Sequence, residues 1–300
     1  MKKDIVCIGH ITKDKIVTFP HHEVYMPGGT SYYFSWGISY LNQEKVSYQL
    51  VTSLAEEDMK AVEDMRQAGI EVSVIPSRRT VFFENIYGEN MNDRQQRVRA
   101  KADPFSLETI RDIEAKYIVL GSLLADDFPM EVLKYLSTRG MLVVDAQGYL
   151  REVRHEEVFA VDWKDKLEAL QYIDILKVNE HEAAVLTGKE DLREACLQLA
   201  AWGVKEVLLT LGSYGSLVLA DGTFYEIPAY QPHPAKDATG CGDTYVMGYV
   251  YKRVQGASIP EAACFAASVA TIKLESSGPF CGTEDEAQAR IDEARSLFQA

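Results

Sequence analysis

The sequence has 300 residues, of which 47% are hydrophobic and 25% charged, and its formal net charge at pH 7 is -14. This composition is typical of a folded globular protein, and no run of about 20 apolar residues is present that would predict a membrane-spanning helix. The negative charge disfavours nonspecific binding to nucleic acid or to an anionic membrane, although basic groups inside a cleft can still bind an anionic substrate.

Five cysteines are scattered along the sequence, and no two of them form a Cys-x-x-Cys pair. An odd number of widely spaced cysteines predicts reduced thiols rather than a disulfide framework or a zinc site. The apolar stretch near the N-terminus is shorter than a secretory signal and lacks a small-residue cleavage site. We therefore expect a cytoplasmic protein with no nucleic-acid or membrane partner.

The first 75 residues predict strands that alternate with helices. An apolar run that ends at Gly9 predicts a buried first strand. Pro27, Gly28 and Gly29 then break the chain, and the residues after them predict a helix. The predicted strands are 4–9, 15–19, 46–51 and 71–75, and the predicted helices are 30–41 and 56–68.

Residues 79–102 differ in character from the segments around them. Two stretches there, 80–87 and 95–100, predict strands on either side of a polar turn over 88–94. We interpret these strands, together with residues from about 12–27, as a small β-sheet lid. An exposed edge strand in this lid would let two copies of the chain pair as a homodimer.

From residue 115 onward strands and helices alternate regularly, and the last 60 residues are mostly helical. Such alternation predicts a mainly parallel sheet covered by helices on both faces, with ligands at the carboxyl ends of the strands. Because the sequence shows no internal repeat, low-complexity tract or long linker, we expect a single α/β domain over residues 1–300. The predicted strands here are 116–121, 141–145, 173–178, 204–209, 215–219 and 223–227, and the helices are 130–138, 163–171, 179–187 and 190–202.

The segment Asp237-Ala-Thr-Gly240-Cys-Gly242-Asp243 precedes an apolar run that predicts a helix. Two glycines one residue apart, just before a helix, let backbone N–H groups converge, and the helix N-terminus adds about half a positive charge there. Gly240, Cys241 and Gly242 therefore form a candidate anion hole. The Asp243 carboxylate beside it could accept the proton of an attacking hydroxyl, or serve only as a helix-stabilising acid in the first turn.

This seven-residue pattern resembles the second signature of the ribokinase-like (PfkB) carbohydrate kinases. Cys241 stands where that family usually has Ala, and Ala238 where it has Thr or Ser, and both changes leave the backbone N–H groups intact. The resemblance implies a ribokinase-like three-layer α/β sandwich with a small β-sheet lid. It also implies that Asp243 is the catalytic base in transfer of the ATP γ-phosphate to a substrate hydroxyl.

Two further segments match the family in the same order along the chain. Asn179-Glu-His-Glu182 resembles its Asn-x-x-Glu motif, which implies that Asn179 binds nucleotide and that Glu182 holds Mg²⁺ through water. A helix N-cap with a capping box explains the same pair without any ligand. Thr210-Leu-Gly212-Ser-Tyr-Gly215 resembles the nucleotide loop of the family, although alone it is also explained as a tight turn between strands.

The N-terminal half resembles the acceptor side of the family. Asp14 matches an Asp that binds sugar hydroxyls, and a solvated loop residue is the alternative. Gly28 and Gly29 begin the family's Gly-Gly-x-x-x-Asn signature, but Tyr33 stands at the Asn position. Tyr33 could stack on a ring of the acceptor or pack in the core of the protein.

Three more residues are assigned by the resemblance alone. Arg151 ends a segment similar to an Asp-x-Asn-x-x-Arg pattern of some members, where it could bind a phosphate or substrate oxygen, and a surface arginine is the alternative. Asp237 and Thr239 match part of a monovalent-cation site that many members carry beside the anion hole. The implied cofactors are therefore ATP and Mg²⁺, with K⁺ as a further candidate.

These resemblances imply an ATP-dependent kinase that phosphorylates a hydroxyl of a small sugar or cyclic polyol. Asp103-Pro104 and Asp145-Ala-Gln147 are similar to segments of inositol kinase-like members, which favours an inositol-like acceptor. A nucleoside kinase of the same family and a non-catalytic sugar-binding regulator on the same fold are the alternatives. The sequence has neither a P-loop motif nor a Gly-x-Gly-x-x-Gly after the first strand, which disfavours a P-loop kinase and a dinucleotide-binding dehydrogenase.

Overall fold

The computed structural model of the chain describes residues 2–18, 22–41, 45–87 and 94–299. Parts of both predicted lid segments, including nearly all of the predicted turn over 88–94, lie outside the described residues. The strands are β1 (Lys3–Gly9), β2 (Thr12–Thr18), β3 (His22–Gly28), β4 (Tyr48–Leu54), β5 (Val72–Pro76), β6 (Val81–Tyr87), β7 (Arg94–Ala100), β8 (Ala115–Gly121), β9 (Met141–Asp145), β10 (Arg151–Arg154), β11 (Glu157–Ala160), β12 (Ile175–Asn179), β13 (Glu206–Thr210), β14 (Ser216–Ala220) and β15 (Thr223–Ile227). The helices are α1 (Thr30–Leu41), α2 (Lys60–Gln67), α3 (Leu107–Ile110), α4 (Met130–Ser137), α5 (Lys166–Ala169), α6 (Glu180–Thr187), α7 (Leu192–Ala201), α8 (Cys241–Val254), α9 (Ile259–Leu274) and α10 (Glu284–Gln299).

Nine of these strands form one large sheet in the order β15-β14-β13-β12-β9-β8-β1-β4-β5. The seven strands from β13 to β5 in that order are parallel, and β14 and β15 add an antiparallel hairpin at one edge. The apolar runs of the seven inner strands are buried on both faces, whereas the edge strands β5 and β15 are partly exposed. The predicted α/β fold with a mainly parallel sheet is therefore confirmed.

Helices cover both faces of the large sheet and give three layers. In β1 the side chains alternate, so that Ile5 and Cys7 enter one core while Val6 and Ile8 enter the other. The first core contains residues of α1, α2, α8, α9 and α10, and the second contains residues of α3 to α7. Among the described residues, no helix combines the length and the apolar character needed to cross a membrane.

A second sheet of six strands has the order β10-β11-β7-β6-β2-β3. Its inner side is anchored because Val81, Phe83 and Val98 pack with Leu123 and Leu124 of the main domain. No sequence pattern predicted β10 or β11, and β3 was predicted only as part of the lid segment 12–27. These strands are short or largely exposed, and they carry charged residues instead of a regular apolar alternation.

One of the two edge strands of this second sheet is β3, on which Val24 and Tyr25 are exposed. An edge strand with exposed apolar side chains is a surface on which another strand can pair. The homodimer through the lid stays a prediction.

Helix α8, which begins in the predicted signature, is fixed to the sheet by a buried polar cluster. The Tyr249 hydroxyl donates to Glu206 Oε2 at 2.5 Å, and Arg253 Nη2 donates to Glu206 Oε1 at 2.8 Å. Glu206 and Tyr249 are both buried. Because a buried carboxylate must be paired, these contacts hold α8 in one position against β13.

We expect Tyr249→Phe to lower the free energy of unfolding by about 1.5–3 kcal/mol, because Glu206 then loses one of two hydrogen bonds to a buried charge. Urea denaturation measures the change. Tyr214→Phe is the matched control, since Tyr214 is 86% exposed, and its effect should stay within about 0.5 kcal/mol. Equal effects of the two substitutions would contradict the role given to Glu206.

Candidate active site

The carboxyl ends of neighbouring strands bring several of the predicted site residues together. Lys177 of β12 pairs in register with Asp145, the last residue of β9. Asn179, the last residue of β12, pairs with Thr210, the last residue of β13. The N-terminus of α8 faces this edge of the sheet, because a Cβ added at Gly242 would lie 3.1 Å from Lys177 Nζ.

The start of α8 requires glycine at position 240. Gly240 is the N-cap and has a φ of 78°, in the left-handed region that other residues avoid. A Cβ there would also lie only 2.3 Å from the ring of Tyr33, which packs directly over the backbone. Both the backbone conformation and the aromatic neighbour therefore exclude a side chain.

The first backbone N–H groups of α8 are arranged to bind an anion. The amide of Cys241 donates to Ala238 O at 3.2 Å, and the amide of Thr244 donates to Gly240 O at 2.9 Å. Between them, the N–H groups of Gly242 and Asp243 have no backbone acceptor in the described part of the chain. Together with the helix dipole they present positive charge to a phosphate.

The Asp243 carboxylate has the properties of a base that works near neutral pH. Burial raises its pKa to about 6, and Asp145 adds to the rise, while Lys177, a hydrogen bond from the Thr30 side chain and Arg151 oppose it. Thr30 lies in the first turn of α1, directly after the two glycines of the first signature. At neutral pH the carboxylate is mostly ionised and still basic enough to accept a proton.

Lys177 is the main cation at this site, and the sequence analysis did not single it out. Its side chain is buried, with Nζ 2.9 Å from Asp145 Oδ2 and 3.8 Å from Glu182 Oε2. Burial alone would lower the pKa of Lys177, but the two carboxylates raise it well above its ordinary value. A lysine in the middle of an otherwise apolar strand was the signal in the sequence that could have found it.

Asn179 and Glu182 form a capping box at the start of α6. Asn179 Oδ1 accepts from the Glu182 amide at 2.8 Å, and Glu182 Oε2 accepts from the Asn179 amide at 2.8 Å. Burial raises the pKa of Glu182, and Lys177 opposes the rise. Both residues also line a cleft of about 450 Å³ with Gln147, Arg151 and, from the lid, Gln96. Both residues therefore line the cleft even though their side chains also cap α6.

Few side chains of the site could bind a metal ion. No group of three or more His, Cys, Asp or Glu side chains that could hold a metal ion occurs among residues 2–18, 22–41, 45–87 and 94–299. Mg²⁺ often keeps several waters and takes one or two protein carboxylates together with substrate phosphates. Glu182, at the cleft surface, fits that kind of site and would not form a complete metal site on its own.

The predicted acceptor residues lie next to one another. Thr12 Oγ1 donates to Asp14 Oδ1 at 2.6 Å, and Asp14 Oδ2 lies 2.5 Å from where a Cβ on Gly28 would stand. Gly29 has a φ of 93° and passes close to the main chain of residue 10. Burial, followed by the charges of Asp237, Asp14 and Asp243, raises the pKa of Tyr33. Tyr33 is only 4% exposed, so most of its ring contacts protein.

The lid adds two amide side chains to this side of the cleft. Phe83 and Val98 face the main domain, and strand alternation places Asn85 and Gln96 on the same face. Gln96 Nε2 donates to Asn85 Oδ1 at 2.9 Å. Glu84 alternates to the opposite face.

A separate cavity of about 390 Å³ lies on the other side of the anion hole. Its walls include the predicted nucleotide residues Thr210, Gly212 and Gly215 together with Cys241 and Gly242. Most of its remaining surface is apolar, contributed by Ala229, Tyr230, Pro232, Ala267, Ala270 and Leu274. The cavity is large and apolar enough for a flat heterocycle with its sugar.

Comparison with known proteins identifies the family. A model described as pfkB family carbohydrate kinase matches residues 106–285, which is more than half of the chain. The chain belongs to the pfkB family of carbohydrate kinases. It is therefore a phosphotransferase that uses a hydroxyl group as acceptor, with the ribokinase fold.

Relatives within the pfkB family act on different acceptors. A cytidine kinase from Thermococcus kodakarensis is 27% identical over 86% of this chain and 91% of its own length. A pyrophosphate-dependent kinase of the ribokinase family, solved with a pyrophosphate analogue and myo-inositol, is 31% identical with a TM-score of 0.84 over 95% of this chain and 99% of its own. A ribokinase from Thermotoga maritima shares the fold at 18% identity, with a TM-score of 0.77 over 97% of this chain and 99% of its own.

The pKa of Asp243 predicts the acid side of the pH profile of this pfkB kinase. If Asp243 is the general base, only its ionised carboxylate can accept a proton, and kcat/KM should rise with pH and reach half of its maximum near pH 6. Asp145→Asn removes a negative neighbour and should move this midpoint down by about one unit, whereas Lys177→Met removes a positive neighbour and should move it up.

Initial rates between pH 5 and 9 measure the three midpoints. Asp126→Asn, an exposed carboxylate that pairs with Lys101, is the control and should leave the midpoint unchanged. If the midpoints of Asp145→Asn and Lys177→Met move in the same direction, or do not move, these two charges do not control the pKa of Asp243.

Proposed function

We propose that this kinase transfers the γ-phosphate of ATP to a hydroxyl of a small cyclic polyol, with myo-inositol as the preferred acceptor and Asp243 as the general base. The observation that carries the proposal is the position of Asp243. It stands in the first turn of α8 next to Gly242, which lines the apolar cavity, and Lys177 beneath Gly242 lies 3.8 Å from Glu182, which lines the lid cleft.

The acceptor occupies the polar side in this proposal. Asp14 accepts hydrogen bonds from the polyol hydroxyls, and the lid covers them and excludes water. Asp243 takes the proton of the attacking hydroxyl while the Thr30 side chain keeps the carboxylate oriented. The N–H groups of Gly242 and Asp243 then stabilise the charge on the phosphoryl group in transfer, while the Cys241 amide, which donates to Ala238 O, keeps the turn in shape.

The donor occupies the apolar side. The cavity next to Cys241 and Gly242 suits an adenosine, with Gly212 and Gly215 letting the backbone approach it closely. Asn179 and Glu182 would hold Mg²⁺ through water, and the ion would neutralise the donor phosphates when bound. Pyrophosphate is the second candidate donor because a structurally similar kinase is pyrophosphate-dependent, but it would leave the apolar cavity empty.

Two observations support the polyol acceptor. The similar kinase at 31% identity was solved with myo-inositol, and the cleft of this chain carries Gln96, Gln147 and Arg151, which can bind hydroxyls, among apolar side chains. A nucleoside acceptor is the second candidate, because a cytidine kinase matches 86% of the chain. It would need an open aromatic surface, whereas Tyr33 is almost entirely covered.

The decisive experiment measures turnover with each donor and acceptor. With ATP and myo-inositol we expect the highest kcat/KM among myo-inositol, ribose, fructose, adenosine and cytidine. Asp243→Asn should lower kcat by a factor of about 10² to 10⁴. Asp112→Asn, which changes an exposed carboxylate, should not lower it.

Three outcomes would change the proposal. Turnover of Asp243→Asn near that of the natural chain would refute the base, and higher activity with pyrophosphate than with ATP would refute the donor. The absence of turnover with every pair, despite saturable polyol binding, would favour the non-catalytic regulator.

The lid amides should determine how well a polyol is bound. Gln96→Leu removes a polar group from the cleft and leaves Asn85 without its partner, so kcat/KM for myo-inositol should fall at least about tenfold while KM for ATP stays unchanged. Gln95→Leu is the matched control, since the neighbouring side chain is exposed and points to the other face of the strand. If the two variants have equal kcat/KM for myo-inositol, the lid amides do not take part in acceptor recognition.

A further inference from the structure

Lys273, near the end of α9, is a lysine with no exposed surface. A charged side chain is almost never fully buried unless it is paired, because removal from water is costly. Its ammonium donates to the backbone oxygen of Asp237 at 2.8 Å and of Ser276 at 3.2 Å, and it lies 3.6 Å from Asp237 Oδ2. Two carbonyl oxygens and one carboxylate oxygen thus surround one positive charge.

These oxygens belong to the two loops that support the start of α8. The amides of Lys236 and Asp237 both donate to Leu274 O, which joins the loop before α8 to the end of α9. Asp237 Oδ1 accepts from the Thr239 amide at 2.9 Å and so shapes the turn that leads into Gly240. The ammonium therefore fixes the loop that presents the candidate anion hole.

The charge of Lys273 also reaches the anion hole itself. Burial raises the pKa of Cys241 to about 11, and Lys273 opposes this rise. Cys241 Sγ donates to Ala270 O at 3.6 Å, one turn before Lys273 on α9. A fixed cation behind the N–H groups strengthens the field that they present to a phosphate.

Carbonyl and carboxylate oxygens around a single positive charge are also the chemistry of a potassium site. Asp237 and Thr239 are the residues that the family resemblance assigned to K⁺. In this chain the same Asp237 already gives its carbonyl oxygen to Lys273, and its two carboxylate oxygens face Thr239 and Lys273. A potassium ion would compete for these oxygens and would meet an uncompensated ammonium beside it, so the residues do not fit the ion.

We propose that Lys273 is a built-in cation that takes the place of a monovalent metal ion behind the anion hole, so that the enzyme works without K⁺. The ammonium group is similar in size to K⁺ and can direct its N–H groups to the same kind of oxygens. The proposal rests on the proposed function only in placing the anion hole at residues 240–242.

The first measurement is the salt dependence of the natural chain. At constant ionic strength, kcat should be the same within twofold in potassium, sodium and tetramethylammonium chloride. Stimulation by potassium of about tenfold or more over the other two salts would overturn the proposal.

The second measurement is rescue of a variant. Lys273→Met keeps the length of the side chain but removes its charge, and kcat in sodium should fall at least about tenfold. Potassium or ammonium should restore most of it, and lithium should not. Lys205→Met is the control, since Lys205 is exposed and pairs with Asp174 at the surface, and it should show no salt-specific change.

Thermal unfolding gives a readout that does not depend on catalysis. The melting temperature of Lys273→Met should rise in potassium relative to sodium, and that of the natural chain should not. Lys273→Gln serves as a second variant: folding of either only with potassium or ammonium supports the proposal, and failure to fold in every salt overturns it. A folded Lys273→Met that no cation stabilises or reactivates also overturns it.

The outcomes separate this proposal from the proposed function. If Asp243→Asn stays active, the assignment of the base fails, while the melting temperatures still test the cation. If Asp243→Asn is inactive and Lys273→Met keeps full activity in sodium, the base assignment stands and the built-in cation is refuted.

Discussion

The ion pair between Lys177 and Asp145 is the interaction around which the site is built. The two residues are paired across β12 and β9, and at most 7% of either side chain is exposed. Removing two charges from water costs several kcal/mol per ion, and the attraction between them offsets this only with good geometry. The 2.9 Å contact therefore contributes little net stability. Its effect is to fix one positive charge directly beneath Gly242.

The position of that charge divides the active site into two environments. The cavity that Gly242 lines is mainly apolar, whereas the cleft that Glu182 lines also carries two glutamines, an asparagine, a histidine and an arginine among its apolar side chains. The flat apolar base of a donor would lose apolar contacts in the more polar cleft. The hydroxyls of an acceptor would lack hydrogen-bond partners in the apolar cavity. The polarity of the walls can thus set the direction in which the two substrates bind, before any specific contact is made.

The parts of the fold that follow from local rules were accessible from the sequence. Apolar runs gave the buried strands of the large sheet, and the glycines around residues 28 and 240 marked the turns that need them. The hairpin of β10 and β11 was missed, and β3 was predicted only as part of the lid segment 12–27, because these strands at and next to the edges of the second sheet are short or exposed and carry little apolar pattern. Their pairing is decided by tertiary contacts that no short window of sequence contains.

The polar residues of the site also fall into two groups, those that a sequence motif reveals and those whose role depends on tertiary contacts. Asp243, Asn179 and Thr210 lie in motifs with recognisable spacing. Lys177 and Lys273 lie in apolar segments, where the pattern reveals an exception but does not name a partner. The nearest carboxylate of each, Asp145 for Lys177 and Asp237 for Lys273, lies more than 30 positions away in sequence. Which carboxylate or carbonyl receives a buried ammonium depends on strand order and helix packing, so the role of such a residue appears only in three dimensions.

The contact between Tyr33 and Gly240 has a consequence for how this protein can change. The ring fills the space that any side chain at position 240 would need, and the backbone there already demands glycine. A smaller residue at position 33 would open a void beside the anion hole, but residue 240 would still need the positive φ that favours glycine. The two positions are thus not equivalent partners: the backbone conformation at position 240 demands glycine by itself, while position 33 is constrained only by the space that its ring fills. The residue at position 33 can therefore vary while the phosphate-binding turn keeps its conformation.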